Sequence, residues 1–237
     1  MIVAAHQPSY LPTLHYLDKM AKSDLFVVMD DVPFEANRFQ NRQRIKVADG
    51  DGWLTVPVVP QPDARICAAR IDTQVAWRRR TWLTIETHYR SAPFFEHYAD
   101  DLRDAFSQRW DRLIDLDMHL LELARGWLRV HVPIVRASSL GLDGTGSARV
   151  VDLCRKVGAH AYLSGSGASG SLDAELLGRS GISVVWQHFD HPQHAQRYPE
   201  LGFLPGLGFI DLLLNCGPDA RDLVFARTHP LRAHSLA

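Results

Sequence analysis

His6 closes a short apolar run, MIVAA, and is followed by Gln7 and Pro8. An imidazole leaving a strand beside a proline-fixed loop can take a proton from an amine or hydroxyl, because its ordinary pKa lies near neutrality. The same ring could instead cap the strand by bonding backbone groups. Gln7 would then hold a substrate carbonyl or amide, or brace the loop, and Tyr10 is a further substrate contact from the same segment. A second apolar run, LFVVMD, ends in Asp30 and Asp31. Adjacent strand residues point to opposite sides, so only one carboxylate can share a crevice with His6. Asp30 is assigned that place, orienting the imidazole or positioning the acceptor, and Asp31 is read as a turn residue before Pro33.

A second constellation is cationic. Between Asn37 and Lys46 stand Arg38, Arg42, Arg44 and Lys46 with no acid among them. Arg42, Arg44 and Lys46 alternate with Gln43, Ile45 and Val47, so they share one face of a strand at steps of about 7 Å. Such a ladder repels itself unless an anion or carboxylates lie opposite. It could hold a phosphate, pyrophosphate or carboxylate by charge-assisted bonds, with Arg38 and Asn41 in support. A solvated strand face paired with scattered acids is the competing reading.

Ser164, Gly165 and Ser166 begin a Ser-Gly loop that runs to Gly170, between a strand and a helix. Its backbone N–H groups could meet a phosphate or an oxyanion. The glycines match G-x-G-x-x-G literally, but no acidic residue ends the next strand before Asp190, and a tight turn explains them as well. His188, His191 and His194 would be neighbours on a helix and able to bind zinc. Pro192 makes the segment a loop, so no metal is expected, and Gln187, His191 and Gln196 are read as facing substrate. Cys154 is a core thiol on an amphipathic helix, and Cys216 is a secondary nucleophile candidate near a helix end.

The elements that must position these residues follow from periodicity. Residues 1–5 and 25–30 read as buried strands around a helix at 13–22, a parallel pair with ligands expected at its C-terminal edge. NRQRIKVA, the turn ADGDG and WLTVPVVP form a hairpin. Residues 74–130 carry three amphipathic helices. Strand and helix then alternate through 134–139, 147–157, AYLSG, SLDAELLGRSG and ISVVWQHF. The fold class is therefore α/β: a mostly parallel Rossmann-like sheet with an inserted β-hairpin and a helical layer, in one domain spanning 1–237.

The 237 residues carry 26 basic and 27 acidic side chains and are 46% apolar, which suits a globular chain with a core. Near-zero net charge gives no general attraction to nucleic acid or anionic membranes. All but four of the basic residues are Arg. Three cysteines without metal spacing fit a reducing compartment, and the N-terminus has no signal-peptide pattern, so a cytoplasmic location is expected.

Several segments carry a resemblance. HQPSYLPTLHYLDKMAKSDLFVVMDDVPF resembles the opening of the WbqC-like proteins, whose hallmark is His-Gln-Pro, a second Pro four residues on, and an Asp-ended strand. NRQRIKVADGDGWLTVPV, WRRRTWLTIETHYRSAPFF, AYLSGSGASGSLD, GISVVWQHFDHP and FIDLLLNCGP are similar to its later blocks, in order over nearly the whole chain. This chain departs from the family at Thr13, Ser171, His194-Ala195 and Gly208, where substrate contacts would differ. The resemblance implies a place in bacterial glycan or specialised-metabolite biosynthesis, and it brings no set of catalytic residues or cofactor with it. The leading expectation is acyl or aminoacyl transfer, with His6 as base and the arginines on an anionic, phosphate- or carboxylate-bearing or carrier-linked small-molecule donor. A nucleotidyltransferase-like, adenylate-forming enzyme is the second reading, although the chain lacks His-x-Gly-His. The third is a non-catalytic binding or chaperone protein that presents the aromatics of 77–98.

Overall fold

The structure, a computed structural model, describes residues 1–226 apart from 166 and 168. Five parallel strands form the central sheet: β1 (Ile2–His6), β2 (Leu25–Val28), β5 (Ile134–Arg136), β6 (Ala161–Gly165) and β7 (Ser183–Gln187), in the order β5-β2-β1-β6-β7. Both faces of the sheet are covered, which is why its strands read as apolar runs without alternation. On one face lie α1 (Leu14–Ala21), α7 (Phe209–Cys216) and the helical layer of α2 (Trp77–Tyr89), α3 (Phe95–Ser107) and α4 (Leu113–Leu128). On the other lie α5 (Gly146–Val157) and α6 (Ala174–Arg179). This is the doubly wound α/β arrangement expected of the alternating pattern.

The chain leaves β1 toward β2 on one side and returns through β6 on the other. The order of the sheet therefore reverses between β1 and β6, where open α/β sheets bind ligands outside the strand C-termini. The β1–β6 register ends at Ala4↔Leu163. Beyond that pair the strands part.

The hairpin of β3 (Arg42–Val47) and β4 (Gly50–Thr55) forms a separate two-stranded sheet. Its turn is shorter than the expected ADGDG, because Val47 pairs directly with Gly50. The expected strand through residue 60 stops at Thr55, and Val58 keeps only an isolated bridge to Ile71. Pro57 and Pro60 remove the donors that a longer ladder needs.

The aromatics of 77–98 fill the helical layer. Trp77, Tyr89, Phe95 and Tyr98 are buried in the main core, so they do not present an interface. Among the described residues no helix is long and apolar enough to cross a membrane. One small residue locks the layer to α7. Gly217, just after α7, has φ +59°, and a Cβ there would stand 2.3 Å from the Phe94 ring. Replacing Gly217 with Ala is expected to destabilise the protein by about 2 kcal/mol or more, through strain and overpacking together. Urea unfolding measures this directly, and an unchanged midpoint would contradict the packing described.

Candidate functional site

At the C-terminal edge of the sheet a cavity of about 400 Å³ opens between the ends of β1 and β2 and the first turns of α5. Ala5, Met29, Val150, Leu153 and Tyr162 make its apolar wall, and His6, Gln7, Gly146 and Arg149 supply the polar groups. A larger groove of about 640 Å³ lies in the helical layer, lined by Tyr98, Trp127 and Arg129 among others, away from the sheet edge.

His6 ends β1 with its ring edge-on to Tyr16, centroids 4.9 Å apart. Its Nδ1 lies 3.0 Å from the Gln7 carbonyl oxygen. A carbonyl only accepts, so Nδ1 carries the proton and Nε2 keeps its lone pair. Among the described residues Nε2 has no hydrogen-bond partner. The side chain is exposed at the cavity mouth while protein surrounds it on the other sides. Desolvation, then the nearby Lys19 ammonium, lower its pKa to about 4. The solvent reaching the ring weakens that desolvation, but both causes act in the same direction, toward a neutral ring at pH 7. Above the ordinary value of 6.5 the lowered pKa leaves folding stability untouched; as the pH falls from there toward 4, the unfolded chain binds the proton first and stability is lost. In an NMR titration His6 is expected to stay neutral, as the Nδ1–H tautomer, to below pH 5. A midpoint at 6.5 or above would contradict this environment.

Gln7 is aimed by the segment that leads into the hairpin. The Gln40 amide oxygen accepts from Glu35 N, so the Gln40 Nε2 donates to Gln7 Oε1 at 2.9 Å. The Gln7 NH₂ group is thereby left to donate toward the cavity that this residue lines.

Two groups that sequence reasoning missed stand beside His6. His15 and Lys19 lie one turn apart on α1, and Lys19 is only 5% exposed. Its Nζ donates to Ala5 O at 2.9 Å, the first β1 carbonyl beyond the last residue pair with β6. The ammonium thus fills the gap where the sheet order reverses, and burial lowers its pKa to about 8. His15 is lowered by burial and by Lys19, and its ring lies 3.8 Å from where a Gly165 Cβ would stand. The signal available was the spacing His15-x-x-x-Lys19 on a short helix that starts eight residues after His6. Across the cavity, α5 begins without a side-chain cap in Gly144-Thr145-Gly146-Ser147. Gly144 and Gly146 have φ +76° and +52°, which lets the backbone curl around the helix end.

Other expected site residues are engaged elsewhere. Asp30 is fully buried, and its carboxylate accepts from Arg136 Nε at 2.6 Å, Ser138 N and Ser138 Oγ. It ties β2 to the segment after β5 and does not orient His6. Asp31 is more than a turn residue, because it accepts from Arg149 of α5 at the cavity.

The cationic ladder is not an open anion site. Arg44 pairs with Asp51 at 3.0 Å and also reaches Pro205 O. The Arg42 guanidinium stacks on Trp53 at 4.1 Å from the ring centroid. Lys46 is wholly buried, donating to Gly202 O at 2.6 Å and Gln196 Oε1. The segment around 202–205 covers the face that was expected to meet substrate. Arg38 is exposed beside Glu35, and Asn41 braces its own loop through Asn37 N and Val56 O.

Tyr10 is buried in the main core and does not face the cavity. Ser164 is buried within β6, Gly165 ends that strand, and Ser166 lies outside the described residues. The loop's helix, α6, starts only at Ala174 and is capped by Asp173, which accepts from Leu176 N. The uncapped helix end at the site therefore belongs to α5. Gln187 donates to His15 O and to Asp18, so it positions α1 from beneath.

The histidine loop is internal too. His191 donates from Nδ1 to Pro192 O and accepts at Nε2 from Gly206 N, a neutral tautomer with both nitrogens used. His194 Nε2 stands 3.0 Å from Asp211, which also accepts from Tyr89 and Gln196. Among the described residues no group of three His, Cys, Asp or Glu is placed to hold a metal ion. Burial pushes the Cys154 thiol up to about 11 and raises that of Cys216, so neither is an activated nucleophile.

Comparison with known proteins agrees with the sequence blocks. Residues 7–223 match the WbqC-like protein family. A curated relative from Mycobacterium tuberculosis, the uncharacterized protein Rv1507c, is 30% identical over 226 residues, covering 93% of this chain and 96% of its own. No solved structure matches.

Proposed function

The chain belongs to the WbqC-like protein family, and for this member we propose group transfer of an acyl or aminoacyl unit onto a small amine or hydroxyl acceptor, with His6 as general base. The observation that carries the reading is the free Nε2 lone pair of His6, neutral at pH 7 and held at the mouth of the cavity at the C-terminal edge of the sheet. Nε2 takes the acceptor's proton while the acceptor oxygen or nitrogen forms its bond to the donor's carbonyl carbon. The carbonyl π electrons move to oxygen, return as the donor's leaving group departs with its bonding pair, and His6 passes the proton to that group. The Gln7 NH₂ donates to the carbonyl oxygen as it gains charge. The apolar wall of Ala5, Met29, Val150, Leu153 and Tyr162 suits the carbon part of a small molecule. Biosynthesis of a glycan or specialised metabolite is the setting that such an acceptor and the family resemblance suggest.

The test is a mass-spectrometric transfer assay that pairs activated acyl and aminoacyl donors with amino sugars and amino acids. A product heavier by the acyl unit, formed by wild type and lost in His6→Asn, supports the reading. Equal product from both proteins removes His6 from the reaction.

A further inference from the structure

The reading above leaves one buried charge without a purpose. Lys19 is 5% exposed, makes one hydrogen bond to a carbonyl, and forms no ion pair among the described residues. Every comparable cation nearby is compensated: Lys22 by Asp18, Arg136 by Asp30, Arg149 by Asp31. Lys46, equally buried, is closed by two acceptors far from the sheet edge. Taking an ammonium out of water costs several kcal/mol, and a single carbonyl dipole does not offset that. Two of the three Lys19 N–H donors remain for something else.

What surrounds this ammonium is basic. Burial and, after it, the Lys19 charge lower the pKa of both His6 and His15. Asp18, the carboxylate next to it in the chain, is taken by Lys22 and Gln187. Gly146, at the uncapped start of α5, lines the same cavity as His6 and adds the positive end of a twelve-residue helix. We infer that the crevice where β1 and β6 part, built by Lys19, His15 and His6 and faced by the start of α5, binds a phosphate group of the donor.

This inference rests on the transfer reading and names the chemistry of its leaving group, a phosphate or substituted phosphate. It also resolves a weakness of the base. An imidazole held far below neutrality is a poor proton acceptor at pH 7. A phosphate beside Lys19 reverses the local field and brings His6 back up, so donor binding readies the base. A carboxylate carries half the charge of a phosphate dianion and compensates Lys19 alone, leaving nothing to raise the two imidazoles.

The experiment is calorimetric titration of the full chain with inorganic pyrophosphate at pH 7 and low salt, accompanied by the His6 NMR titration. Wild type is expected to bind with millimolar or better affinity and to show a raised His6 midpoint when pyrophosphate is present. Lys19→Met should weaken binding about tenfold or more. Should Lys19→Met fail to fold, His15→Gln and the pH series of wild type carry the test. Affinity should fall above pH 8, where Lys19 loses its proton, although pyrophosphate itself gains charge there. The groups placed around Lys19 are His6 from β1, His15 from α1 and Tyr162 from β6, whose ring centroid lies 6.0 Å from the ammonium. Of these, His6 and His15 titrate below pH 7, and Tyr162 is pushed up to about 12. ADP is run in parallel, and tighter binding of it supports the inference and points to a nucleotide leaving group.

Absence of pyrophosphate binding, acetate binding as tightly, or a loss in Arg44→Met but not in Lys19→Met would each overturn the inference. The two readings fail separately. Transfer lost in His6→Asn with no pyrophosphate bound leaves the base and removes the phosphate site, and pyrophosphate bound with transfer unchanged in His6→Asn does the reverse.

Discussion

Replacing His6 with Asn should lower turnover by roughly 10²–10⁴-fold, the usual contribution of a positioned general base. The expectation follows from the tautomer. The Gln7 carbonyl fixes the proton on Nδ1, so the only basic atom His6 can offer is Nε2, and among the described residues nothing bonds it. Asn keeps a polar group at the strand end but has no basic nitrogen. Because the ring is exposed at the cavity, folding stability should change by no more than about 0.5 kcal/mol. Steady-state kinetics and a melting curve on the same preparation separate the two effects. A variant that melts like wild type and turns over like wild type rules the base out.

The second large effect concerns a residue that binds no substrate. Asp211→Ala should cost about 3–5 kcal/mol, because several buried donors lose their acceptor at about 1–3 kcal/mol each. Asp211 and His194 are 1% and 2% exposed. The carboxylate accepts from His194, Gln196 and Tyr89 at 3.0, 2.8 and 2.8 Å. The Tyr89 hydroxyl in turn accepts from Lys46 N, and Gln196 Oε1 accepts from Lys46 Nζ and Leu204 N. One carboxylate therefore joins α7, α2, the hairpin and the long loop before α7. Without it three donors are left buried and unpaired. A protein of this length should lose roughly 10 °C in melting temperature. A shift under 3 °C would show that the network contributes little.

How far the sequence could be read depended on where each residue's partner lies in the chain. The strand–helix alternation is local, so the parallel sheet and its flanking helices were legible, while the order of the strands and its reversal beside β1 were not. His6 and Gln7 were legible for the same reason: a strand end followed by proline places both at the edge of the sheet. The cationic hairpin was misread because the partners of the Lys46 ammonium, and one of those of Arg44, come from 150 to 161 positions later. Nothing near Arg44 or Lys46 announces that the carbonyls of Gly202 and Pro205 will close over that face. Asp30 was misread alike, since Arg136 reaches it through β5, 106 residues on. Lys19 was overlooked for a different reason. Leu14, Leu17 and Met20 mark the apolar stripe of α1, and a lysine beside such a stripe normally lies in water. Here the helix sits over the gap in the sheet, so its flank is buried as well. The Ser-Gly loop drew attention by its composition, while the uncapped helix end that faces the cavity belongs to Gly144-Thr145-Gly146, a less conspicuous run.

The account stands on His6 presenting a neutral, unhindered Nε2 to the cavity. Diethyl pyrocarbonate acylates neutral imidazole nitrogens, and peptide mass spectrometry reads each histidine separately. His6 should react nearly as fast at pH 5.5 as at pH 7, whereas an imidazole of ordinary pKa 6.5 keeps only about a tenth of its neutral form at the lower pH. His191, with both nitrogens bonded, should stay unmodified in the folded protein. A His6 that resists the reagent at both pH values, or whose rate falls about tenfold between them, would contradict the site described.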